Sequence, residues 1–193
     1  MVVRSLRKAS GHRGFSMIEV MVTIVIIAFG LLGIAGLQVR LQMSEMESYQ
    51  RSQALLLLND MANRIATNRN SAASYVTTAT SPLGAGMICP TAPTTVAQSD
   101  LAEWCNALQG AGETISGGGV VAKIGTLVGG RGCVELVGSD YLVTVVWQGR
   151  TPITAPPASV ACGANSYNAA SGSPCVDDLC RRPVTTLVRI ATL

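Results

Sequence analysis

Histidine is nearly absent from this 193-residue sequence, and the single one, His12, lies among the first basic residues. Beyond it no imidazole is available for a catalytic triad, a metal site or general base work near neutral pH. No G-x-x-x-x-G-K-[ST] phosphate loop occurs, even in the glycine-rich stretch near Lys123. None of the six cysteines forms a C-x-x-C, so with no histidine beside them a zinc site is not indicated. Scattered carboxylates give no reason to single out a catalytic pair. The sequence therefore nominates no catalytic, cofactor-binding or metal-binding residue and reads as a non-enzyme. Asp177-Asp178 is expected to be a solvated acidic loop, and Trp104 and Trp147 to be core. Proline is also missing between Met1 and Ser81, so a long helix there meets no breaker.

What charge there is lies unevenly. Arg4, Arg7, Lys8 and Arg13 all precede Phe15, and setting those four aside turns the formal +3 into −1. The body of the chain is thus near neutral, and a nucleic-acid partner is not indicated. Cys89, Cys105, Cys133, Cys162, Cys175 and Cys180 all follow the apolar N-terminal block. An even number behind an export-type N-terminus implies disulfides formed in an oxidising compartment such as a periplasm. About fifteen pairings are open in principle. Joining neighbours along the chain gives the shortest loops: Cys89 with Cys105, Cys133 with Cys162, Cys175 with Cys180.

The N-terminus carries the densest signal. A short basic stretch ends in Gly14, Phe15-Ser16-Met17-Ile18-Glu19 follows, and an apolar run extends from Val20 to Leu37. The run is long enough to cross a bilayer as a helix, with the preceding cations on the cytoplasmic side. Two ordinary readings compete. One is a secretory signal peptide cleaved near Gly33-Ile34-Ala35-Gly36. The other is that Glu19 merely closes a capping box with Ser16. Neither explains a carboxylate at the edge of a membrane segment, where intramembrane ionisable groups usually have a partner. Cleavage after Gly14 would supply one, because an α-amino group titrates near about 7.7–8.0 and the new amine of Phe15 would be largely cationic. Glu19 could pair with that amine in its own subunit or in a neighbour.

Gly14-Phe15-Ser16-Met17-Ile18-Glu19-Val20-Met21-Val22 resembles the class III signal sequence of type IV pilins and type II secretion pseudopilins. The resemblance implies that a prepilin peptidase cuts after Gly14 and N-methylates Phe15, and that the apolar helix is retained. It also implies that Glu19 recruits the subunit into a filament by neutralising the amine of an adjacent subunit. The expected location is the inner membrane, single-pass with the head in the periplasm, and later the pilus at the cell surface.

Leu41, Leu55, Leu58, Met61 and Ile65 continue a helical spacing as far as Asn68-Arg69-Asn70-Ser71, which reads as the stop. A helix from about Ser16 to Thr67 would be roughly 80 Å long. Gly30, Gly33 and Gly36 within it fit either a small-residue helix contact or a weak point that melts in a filament. Residues 71–119 read as loop, apart from a short helix from Asp100 to Leu108. Val120–Val128, Gly132–Val137, Tyr141–Gln148 and Val184–Ala191 read as strands, with turns at Gly129-Gly130 and Gly138-Ser139-Asp140. The expected fold is α+β and pilin-like: a long N-terminal helix, membrane-spanning in its first half, packed on an antiparallel sheet of about four strands. The expected segments are a leader (1–14), a membrane or filament-core helix (15–37), its amphipathic continuation (38–70) and a disulfide-containing head (71–193).

Gly129-Gly130-Arg131-Gly132-Cys133, Tyr141–Gly149, Cys162-Gly163 and Arg181-Arg182 resemble the PilV group of minor pilins. That implies a low-abundance subunit which primes pilus assembly at a filament tip beside other minor and major pilins, in the service of adhesion and twitching motility. Cys175 and Cys180 look like an insertion relative to that pattern. Two alternatives stay open: a type II secretion pseudopilin, and an adhesin-like module using the cysteine-bearing loop from Pro152 to Pro183.

Overall fold

A computed structural model describes residues 14–111, 114–117, 120–123, 127–170 and 172–190. The basic stretch before Gly14 and the end of the expected last strand lie outside the described residues. Helix α1 runs from Met17 to Thr67. It ends where Asn68, a poor helix interior residue, hands over to a 3₁₀ segment at Arg69–Tyr75. Then follow β1 (Leu83–Gly84), α2 (Val96–Leu108), β2 (Thr114–Gly117), β3 (Val120–Lys123), β4 (Arg131–Val137), β5 (Asp140–Gln148) and β6 (Arg181–Val188). The chain forms two compact units, one ending at Gln42 and the other starting at Met43.

The second unit is built on an antiparallel four-stranded sheet of order β1-β4-β5-β6. Alternation along β5 selects its two faces. Val143, Val145 and Trp147 join Ala54, Leu58, Met61 and Ile65 of α1 in the main core, which also holds Tyr75, Trp104 and Leu108. The helical residues recur three, four and seven apart, so one stripe of α1 meets the sheet. Trp104 donates its indole N–H to the Leu57 carbonyl at 2.9 Å, which ties α2 to α1. Gly132 is required by close approach, because a Cβ there would lie 2.2 Å from Trp104 Cη2. Cys133 and Val146, on the other face, form a second small core with Cys162 and Tyr167.

The fold is α+β with a long helix packed on four antiparallel strands, but the sheet's membership differs from the sequence reading. Of the expected strand Val120–Val128, residues 124–126 lie outside the described residues, and Val120–Lys123 does not join the sheet. Val120–Lys123 instead pairs with Thr114–Gly117 as a separate hairpin, in register Gly117↔Val120. Pairing between neighbours in sequence closes a short loop at little entropic cost, so it wins over the distant sheet. The fourth strand of the sheet is the two-residue β1, with Leu83 opposite Gly132. The stretch read as loop before Gly119 contains β1, β2 and most of the 3₁₀ segment, which begins at Arg69. Helix α2 begins at Val96, not Asp100, because the Thr95 hydroxyl caps the Gln98 N–H at 3.2 Å. Strand β6 begins at Arg181, three residues before the expected start, since Pro183 is tolerated on an edge strand.

Three disulfides join Cys89–Cys105, Cys133–Cys162 and Cys175–Cys180. Two consecutive arginines gather the loop between β5 and β6. Arg181 donates to the Val160 and Cys162 carbonyls at 2.6 and 3.0 Å. Arg182 donates to the Thr151 and Leu179 carbonyls at 2.6 and 3.2 Å and to Glu47 of α1 at 2.8 Å. Gly149 leaves the space that Arg182 fills, since a Cβ there would lie 2.6 Å from its Cζ.

Candidate functional site

The first unit presents the start of α1. Ser16 caps it: the Glu19 N–H lies 3.2 Å from Ser16 Oγ and 3.0 Å from the Ser16 carbonyl oxygen. That is one half of a capping box. The reciprocal bond from the Glu19 carboxylate is not formed, and among the described residues this carboxylate has no partner. Glu19 is exposed one turn into the helix. Phe15 is 79 % exposed beside it. Among the described residues, a Cβ on Gly14 would meet nothing within 4 Å. Packing among the described residues therefore places no demand for glycine at position 14.

Beyond Glu19 the helix is apolar on every side. It meets the length and composition needed to cross a membrane, with a mean hydropathy of 2.7 over its most apolar stretch and none of that stretch buried in the molecule. Thr23 donates its hydroxyl to the Val20 carbonyl at 2.8 Å, so its polar group is satisfied within the helix. The helix continues unbroken through Gly30, Gly33 and Gly36, and a Cβ on any of them would meet nothing within 4 Å.

The second unit carries features that the sequence did not nominate. Arg64 of α1 lies 2.7 Å from Asp100 and 2.8 Å from Glu103, both on α2, and 2.9 Å from Asp60. Tyr75 donates to Asp100, and burial together with that carboxylate pushes its phenol above the usual range. Asp178 corrects the expectation of a solvated acidic pair. It is buried, accepts the Asn165 N–H at 2.8 Å and lies 3.2 Å from Arg181, while Asp177 stays exposed. A carboxylate three residues before an arginine was the available signal. Trp104 and Trp147 are both buried, and the six cysteines lie in the second unit, away from the Gly14–Glu19 segment in sequence. Among the described residues no cluster of metal-ligating side chains occurs.

Taken together, the helix start offers an exposed aromatic after a glycine, then a carboxylate with no partner among the described residues at the head of an apolar segment. Such a surface is suited to recognition and assembly. Residues 9–35 match the family model described as a prokaryotic N-terminal methylation motif. Residues 36–111 match the model described as type IV pilin Tt1218. The methylation motif implies processing by a prepilin peptidase and assembly with other pilins. No curated protein and no solved structure matches the chain.

Proposed function

We propose that this chain, which is type IV pilin-like, serves as a minor pilin that helps prime type IV pilus assembly near the filament tip. The carrying observation is the helix start, where Gly14, Phe15 and Glu19 are exposed and the carboxylate has no partner among the described residues. Glycine at 14 answers to an outside reader, the prepilin peptidase, which cuts before Phe15 and methylates its amine. Glu19 then finds its partner in the amine of an adjacent subunit, a pairing favoured where water is scarce. Before assembly the apolar half of α1 anchors the chain in the inner membrane with the head in the periplasm. Afterwards it is buried among neighbouring helices. The role is structural rather than catalytic.

The PilV-like residues support the finer assignment. Gly132 and Gly149 make room for Trp104 and Arg182, and Cys133 and Cys162 are joined, so those positions are tied to the architecture of the head. A clean deletion in the host, with pili counted and secreted proteins assayed in the same cultures, tests the proposal. Scarce pili with normal secretion is the expected result. Normal pili with blocked secretion would make the chain a pseudopilin. Normal pilus number with lost adhesion would favour an adhesin-like module.

A further inference from the structure

Strand β6 has β5 on one side, and among the described residues no backbone hydrogen bond beyond that ladder reaches residues 182–188. A proline in a strand sits where its nitrogen faces away from the ladder. That parity at Pro183 turns the N–H and C=O of Thr185 and Leu187 outward as well, and both residues are exposed. An edge of this kind is a template for an added strand.

Beside the edge lies a cavity of about 360 Å³, walled by Ser48 and Arg51 of α1, Trp147 of β5, Ile153, and Pro183 and Val184 of β6. Its walls are mainly apolar, and its charges do not cancel. Glu47 is held by Arg182 at 2.8 Å. Arg51 is exposed and has no partner among the described residues. The site thus offers unpaired backbone groups, an apolar slot and a free cation side by side.

We propose that the free edge of β6 and this slot dock an extended, acidic segment of a neighbouring, non-identical filament subunit. That segment adds to β6 as a strand and sets a carboxylate on Arg51. The inference rests on the filament-subunit reading above. Unpaired backbone groups call for a polypeptide, and the uncancelled guanidinium calls for an acidic one. Among the described residues a second copy offers no free extended acidic segment, since every described carboxylate lies in a helix, in a strand that already has partners, or in the Cys175–Cys180 turn; Glu113 lies outside the described residues.

The test uses the full chain in its host, with benzoylphenylalanine replacing Leu187, or Ile88 as the control. Sheared filaments that contain the chain are irradiated, and the adducts are identified by mass spectrometry. Expected is an adduct from position 187 to an Asp- or Glu-bearing segment of a different pilin-fold subunit, with little from position 88. Arg51→Glu lowers its yield about tenfold and Arg51→Lys largely keeps it, as for a rim charge. Unchanged tryptophan emission checks the fold of both variants. Three results overturn the inference while leaving the filament reading intact: no adduct from position 187 in filaments that hold the chain, an adduct only to a second copy, or a yield indifferent to Arg51→Glu. Filaments that lack the chain altogether overturn both.

Discussion

Removing each disulfide in turn, as paired Cys→Ala variants, should destabilise the head in an order set by the loop that each closes. The bridges span 29 residues for Cys133–Cys162, 16 for Cys89–Cys105 and 5 for Cys175–Cys180. In the chain-entropy account these loops correspond to about 3.6, 3.1 and 2.1 kcal/mol at 25 °C. The first two lie too close for loop length alone to separate them. Burial widens the gap, because Cys133 and Cys162 are both fully buried between the sheet and its covering loop, whereas Cys89 is 7 % exposed. Losing two sulfurs there also leaves a void against Val146 and Tyr167. The assay is guanidinium unfolding of the full-length chain in detergent micelles, followed by tryptophan emission. Trp104 and Trp147 are both buried in the head, so the signal reports on that unit. If loss of Cys175–Cys180 cost more than loss of Cys133–Cys162, both the loop argument and the second core on the outer sheet face would be refuted.

Gly132→Ala should cost about 1–3 kcal/mol through overpacking against Trp104, with a matching change in tryptophan emission; a neutral result would mean that β4 and α2 do not touch as described. Tyr167 is driven by burial, opposed by nearby Arg131, from the ordinary phenol value near 10 up to about 12. Since the unfolded chain ionises first, stability should fall as pH rises from about 10 to about 12. Tyr167→Phe should remove that part of the alkaline loss, although it also removes a hydrogen bond to the Gly129 carbonyl. A pH series of melts on both chains checks this, and identical alkaline slopes would argue against a buried phenol. Glu19→Ala should leave membrane insertion and processing largely intact yet reduce the chain in sheared filaments severalfold; normal incorporation would reduce the carboxylate to a capping residue.

The N-terminal reading needed only residues close in sequence, and for that reason it was legible. Glycine, aromatic, carboxylate and apolar run stand within one helix start, and Asn68 marks the helix end. Strands β4 and β5 were equally open, because alternation and the Gly138 turn, with φ of 65°, are local signals. What escaped was pairing across distance. Leu83 opposite Gly132 joins segments almost fifty residues apart, and two residues are too few for any periodic pattern. The strand at Val120 was visible, but its choice of a hairpin partner over the sheet depended on competition between closures. Arg182 and Glu47 lie 135 residues apart, so their ion pair could not be read in advance. Asp178 looked solvated because the two aspartates were read together, although its spacing of three residues from Arg181 was a local sign of the ion pair.

The most direct test of the central claim is the intact mass of this chain recovered from sheared filaments. The predicted mass is that of residues 15–193, with its cysteines as three disulfides and one methyl group on the Phe15 amine. A mass beginning at Leu37 would mean that the apolar helix is discarded as a secretory signal, and it would contradict the pilin account at its foundation.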